Sequence, residues 1–316
     1  MKLTCETKEH TREAYGKTLI ALGKENPNIV VVDADLSGST STAMFAKVFP
    51  DRFFNVGVAE QNLMGISAGL ALAGKTVFAS AFAMFGAGRA WEQIRNTIAY
   101  DRLNVKIVLT HAGITVGKDG SSHQIVEDLA LMRVIPGMKV QVPADAPETC
   151  ALIRAAAAYE GPVYIRLTRE KSPTIFDPYN YDTEKPITIH DGSDVTIMAC
   201  GYMLAEAIVA AAELKKEGVN SRLINMHTIK PLHEQTVVKA AKETGSIVTV
   251  EEHSIIGGLG GAVAEVLSEQ YPAPLRRVGI RDLFGKSGDA KDLMIRYNLT
   301  SKDIIHAAHE AMKARK

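Results

Sequence analysis

Three cysteines, Cys5, Cys150 and Cys200, are all that this chain of 316 residues holds, and they lie far apart. An odd number at such spacing argues against a disulfide framework or a metal knuckle and for a reducing compartment. Net charge is also lacking, since 36 Lys and Arg balance 36 Asp and Glu. Nothing therefore points to nucleic acid or an anionic membrane surface as a partner. No window approaches the roughly 18 uninterrupted apolar residues of a membrane span. The charged start, MKLTCETKEHTREAYGK, has no apolar stretch of the kind a signal peptide needs. These absences leave a cytoplasmic globular protein, long for one core and comfortable for two domains.

What is present is alternation. Apolar β-branched runs at Asn28–Asp35, Thr76–Phe82, Val105–Thr110, Met138–Val142 and Val163–Leu167 read as short buried strands. Helical patterns lie between them. Asp145-Ala-Pro-Glu148 is a helix start, with Asp145 as cap, Pro147 in the first turn and Glu148 returning to the cap. Trp91, Ile94 and Ile98 share one helical face after the glycine-broken segment Phe85–Gly88. Alternation of this kind predicts an α/β fold with mostly parallel sheets flanked by helices. The stretch Lys171–Asp191, with Pro173, Pro178 and Pro186, has no sustained period. It predicts an interdomain linker over 176–191, dividing a first domain, 1–175, from a second, 192–316. In the second domain, strands are expected at Val195–Cys200, Arg222–Asn225, Ile247–Val250 and Arg277–Ile280. Helices are expected at Leu204–Lys216, Glu234–Glu243, Gly261–Glu269 and Ser301–Lys313.

Chemistry concentrates in the first domain. In Phe53–Gly74 the polar triplet Glu60-Gln61-Asn62 interrupts a run that is otherwise apolar and small. A carboxylate there is partly desolvated and needs a proton or a good donor. Taken alone, it also suits a helix start, where it complements the macrodipole. Phe82 and Phe85 follow in ASAFAMFGAGR, and alone read as core residues. The segment Thr110–Gln124 ends a strand at His111 and continues as a glycine-punctuated loop carrying Asp119 and His123. Loops at the carboxyl ends of parallel strands are where α/β folds place their sites. Arg169 ends the last strand of the domain, and Ser39 follows the first. An arginine at a strand end suits a phosphate.

These blocks, in this order, resemble the pyrimidine-binding domain of transketolases, and the second half resembles their C-terminal domain. The resemblance implies that Glu60 bonds to the aminopyrimidine ring of thiamine diphosphate and promotes loss of its C2 proton. It implies that Phe82 and Phe85 wall the ring. A third family aromatic falls at Gly88, a departure that Trp91 or Arg89 could fill. His111, Arg169 and Ser39 are implied to hold a substrate phosphate, and Asp119 and His123 to contact substrate oxygens near the reacting carbons.

The mark of the diphosphate-binding domain is Gly-Asp-Gly with Asn about 25–30 residues on, the oxygen donors a hard cation needs. It does not occur in these 316 residues. The resemblance then implies a split enzyme. An N-terminal subunit would carry that domain and the Mg2+ or Ca2+ ligands, and no metal ligand is assigned to this chain. Two copies of each chain, or a homodimer of this one, are the symmetric arrangements. The turn Val250–Gly261 is no dinucleotide fingerprint, because Val263 stands where a third glycine belongs. Glu251 and His253 read as structural. Competing readings are a deoxyxylulose-phosphate synthase-like chain, a 2-oxo-acid dehydrogenase β subunit, and a non-catalytic regulatory partner. The Asp119…His123-Gln124 pattern disfavours the second, and His111 the first.

Overall fold

A computed structural model describes residues 7–176 and 183–315. The architecture is α/β, with two main sheets that are mostly parallel and flanked by helices. The larger sheet has seven strands, in the order Thr228–Lys230, Lys139–Gln141, Val163–Arg166, Val105–Thr110, Thr76–Phe82, Ile29–Asp33 and Phe53–Asn55. All pairings are parallel except the first, which is antiparallel. The edge strand Thr228–Lys230 comes from the second half of the sequence, so one sheet spans both halves.

Side-chain alternation along these strands feeds two cores. Val31, Phe78, Val108 and Ile165 face one side with Tyr15, Leu19 and Ile153 from the helices Thr11–Glu25 and Ala146–Ala158. Val32, Ala79, Ile107 and Tyr164 face the other with Leu63 and Met64 of the helix Glu60–Leu72. Each fully buried Val, Ile or Leu contributes about 1.5–3 kcal/mol. Asp145 caps its helix as the sequence predicts, accepting from the Glu148 amide at 2.9 Å, and Glu148 accepts in turn from the Ala144 amide at 2.7 Å.

The second sheet has five strands, Leu275–Ile280, Ile247–Ser254, Val195–Ala199, Ser221–Asn225 and Ile187–His190. The last corrects the expected linker: Ile187–His190 is an antiparallel edge strand. Ile187 and Ile189 turn inward onto the second core, a two-residue period that the neighbouring Pro186 masks in the sequence. Lys171–Pro173 is likewise paired, antiparallel to Lys8–His10. The remainder of the expected linker, 177–182, lies outside the described residues. Among the described residues no helix is long and apolar enough to cross a membrane.

Candidate active site

The segments that follow the carboxyl ends of the central strands converge. The strand Thr76–Phe82 runs into a helix wound with π geometry over Met84–Arg89 and again over Ile94–Ala99. Wide turns of this kind re-aim side chains. Here they send Phe85 and Arg89 toward the start of the helix Glu60–Leu72. Glu60 is 2% exposed, and its Oε2 accepts from Arg89 Nη1 at 2.7 Å. The guanidinium also lies over the Phe85 ring, 4.9 Å from its centroid. Arg89 thus stands between Glu60 and the Phe85 ring. A Cβ on Gly88 would meet nothing nearer than 3.9 Å. Trp91 points elsewhere and donates its indole N–H to the Leu131 carbonyl at 2.9 Å.

The histidines join the same cleft. Phe82 stacks on His111 with centroids 3.9 Å apart, and Phe85 meets His123 edge-on at 5.2 Å. His111 adopts the left-handed φ of 59°, and its Nδ1 lies 2.8 Å from Thr110 Oγ1. Burial, then the charges of Arg12 and Arg169 and the nearby His123 and His10, push the His111 imidazole down to about 3. It is thus neutral, able to donate from one nitrogen and accept at the other.

Arg169 Nη1 donates to the Val116 carbonyl and lies 3.1 Å from Asp119 Oδ1. The two residues, assigned separately from sequence, are bonded to each other. Ser39 lies in the turn Ser37–Thr40, which buried Asp33 organises by accepting from the Leu36 amide, Thr40 and Thr42. The Ser39 carbonyl accepts from Arg12 Nη1 at 3.0 Å. Burial and the neighbouring Arg169 both lower the proton affinity of Arg12, with Glu13 opposing. His10 reaches the Arg169 carbonyl at 3.1 Å. Arg12 and His10 were missed from sequence. They sit in a charged N-terminal stretch that carries no motif, and only the pairing of Lys8–His10 with Lys171–Pro173 brings them here.

Glu251 and His253 are structural, as read. Glu251 accepts from the Leu259 and Gly260 amides at 2.7 and 2.8 Å, and His253 Nε2 lies 3.2 Å from the Leu129 amide.

Residues 7–174 match the model of the transketolase pyrimidine binding domain, and 185–304 match that of the transketolase C-terminal domain. The chain belongs to the transketolase family. Among transketolase relatives, a Methanocaldococcus jannaschii protein with the provisional name of transketolase C-terminal section is 53% identical over 306 residues, 96% of each chain. A 6-deoxy-6-sulfo-D-fructose transketolase subunit of Clostridium sp. is 43% identical, covering 95% of this chain and 93% of its own. A solved structure described as a split gene transketolase, an inactive beta4 tetramer, is 54% identical with a TM-score of 0.91. It covers 97% of this chain and 99% of that one.

Proposed function

We propose that this chain is the C-terminal subunit of a thiamine-diphosphate-dependent transketolase, transferring a two-carbon ketol unit between sugar phosphates. The observation that carries the reading is Glu60: a buried carboxylate at a helix start, facing a cleft that also holds Phe82, Phe85, His111, Asp119 and His123. The residues fit the pyrimidine end of the cofactor. Glu60 offers a carboxylate whose side-chain partner Arg89 is half exposed, the Phe85 ring lies against that guanidinium, and the space over Gly88 is open. When bound, thiamine diphosphate supplies the carbon nucleophile that carries the two-carbon unit.

The chain's own groups have the remaining tasks. Glu60 bonds to the ring nitrogen and holds the proton shared with it. Phe82 and Phe85 exclude water from that bond. His123 and Asp119 meet the substrate's hydroxyl and carbonyl oxygens. His111, Arg169 and Ser39, joined by Arg12, form a cationic cradle for the terminal phosphate. Relatives of nearly equal length are named as a subunit and as a C-terminal section, which supports a partner chain supplying the diphosphate domain and its Mg2+ or Ca2+ site. Two copies of each chain then complete two shared sites.

Two experiments test the reading. Mixing the chain with its N-terminal subunit should produce ketol transfer that neither chain shows alone. Glu60→Gln in that complex should abolish exchange of the thiamine C2 proton. Ketol transfer by this chain alone, or unchanged C2 exchange in the variant, would refute it.

A further inference from the structure

The loop that bears Asp119 is built by the other half of the molecule. Gln124 Nε2 donates to the carbonyls of Ile114 and Gly117 and, across the domain boundary, to that of Lys286 at 2.9 Å. Ser287 Oγ donates to the Lys118 carbonyl at 2.7 Å. At the root of the loop stands Glu252, from the strand Ile247–Ser254, 2% exposed. Its Oε1 accepts from the Thr115 amide at 2.7 Å. A Cβ on Gly113 would fall 2.2 Å from the same oxygen, and Gly113 has a φ of 86°. Carboxylate and glycine are thus matched: the backbone passes so close to Glu252 that no side chain fits between them. Gly113 lies two residues from His111 and six from Asp119.

A buried carboxylate is a costly way to satisfy one amide, and the charge of a nearby cation lessens that cost. Arg166 is that cation: its Nη2 donates to the main-chain carbonyl of Glu252 at 2.9 Å, not to the carboxylate, while its Nε holds Asp128 at 2.8 Å. Burial raises the proton affinity of Glu252, and Arg166 opposes that rise.

We propose that Glu252 is a positioning residue for ketol transfer: its bond to the Thr115 amide sets the backbone between His111 and Asp119, and so the C-terminal domain shapes the substrate end of the site. The proposal rests on the functional reading above and assigns the second domain a direct part in substrate geometry.

Two substitutions separate the bond from the charge. Glu252→Gln keeps an oxygen that can accept from Thr115, whereas Glu252→Met fills similar volume and accepts nothing. In the isolated chain, hydrogen exchange at residues 113–119 should quicken at least tenfold in the Met variant and stay near wild type in the Gln variant. In the two-chain enzyme, the Met variant should raise KM for the donor sugar phosphate about tenfold, with thiamine C2 exchange within twofold of wild type and KM restored by Gln. Equal exchange in all three proteins overturns the proposal. So does an equal defect in Gln and Met, which would place the effect in the charge facing Arg166, or a loss of C2 exchange in step with the rise in KM. Should the wild-type pair show no ketol transfer, the functional reading fails, and amide exchange alone still decides whether Glu252 holds the loop.

Discussion

Arg89 Nη1 stands 2.7 Å from Glu60 Oε2, so the carboxylate assigned to the cofactor is already held by a guanidinium of its own chain. Half of the Arg89 side chain is exposed, at 51%, whereas Glu60 is buried. The arginine can swing into water at small cost; the carboxylate cannot. An incoming ring therefore competes with Arg89 for Glu60. Arg89→Ala should tighten thiamine diphosphate binding to the assembled enzyme about fivefold by calorimetric titration, the competing state being removed. The same change should lower the stability of the isolated chain by about 1 kcal/mol, as for a half-solvated charged hydrogen bond. Weaker binding in the variant would show that Arg89 assists the cofactor and does not compete with it.

His111 gives a pH signature. Its proton affinity falls to about 3 in the folded chain from an ordinary 6.5, so between those values the unfolded chain binds more protons. Stability from this group therefore rises with pH across that window and is complete above it, with a limiting slope of about 1.4 kcal/mol per pH unit. Urea unfolding of wild type and His111→Gln should show the variant losing about 1 kcal/mol less between pH 7.5 and pH 5.5. Parallel pH dependence in the two proteins would mean that the imidazole titrates freely.

Much of this was legible in the sequence, and the residues show why. The strands Thr76–Phe82 and Val105–Thr110 have the boundaries expected, because short, mostly apolar runs bounded by polar residues leave few alternatives. The helix Ser301–Lys313 also agrees, and its cap pairs Thr300 with Asp303. Ile187–His190 was hidden because four residues after a proline carry too short a period to outweigh it. Glu60, Phe82, Phe85, His111 and His123 could be named only through the resemblance to the transketolase pyrimidine-binding domain. Their mutual contacts, and the capture of Glu60 by Arg89, could not, since a π-wound turn leaves no clear sequence sign. Arg12 and Glu252 escaped for a different reason. Each reaches its partner across a large sequence separation, 27 residues to Ser39 and 137 to Thr115, which no local pattern encodes.

The cationic cradle predicts how the substrate's end group is recognised. With Arg12 on Ser39 and Arg169 beside Asp119, two guanidiniums act on one small volume near His111. Arg169→Ala should raise KM for a sugar phosphate by about 10–100-fold, the value of one charge-assisted contact. The KM for the matching sugar without phosphate should hardly change. The double variant with Arg12→Ala should cost less than the sum of the singles, because both groups hold one anion. Equal losses for phosphorylated and unphosphorylated sugars would remove the phosphate from this site.

The junction between the halves rests on a buried pair whose removal can be predicted in sign and size. Asp128 Oδ2 accepts from Tyr164 at 2.6 Å and from Arg166 Nε at 2.8 Å, and Asp128 and Arg166 are 0% and 3% exposed. Arg166 then reaches the Glu252 carbonyl, linking the helix Asp128–Arg133, the strand Val163–Arg166 and the second domain. Arg166→Leu strands the Asp128 charge in the interior and should cost about 3–5 kcal/mol. Replacing Asp128 by Leu as well removes the stranded charge, so the double variant should be the more stable of the two despite carrying more changes. Both should speed exchange at residues 113–119, because each loosens the strand that carries Glu252. Denaturant unfolding of the wild type, the two singles and the double decides the point: additive losses would mean that Asp128 and Arg166 act independently, and the weld between the domains would have to lie elsewhere.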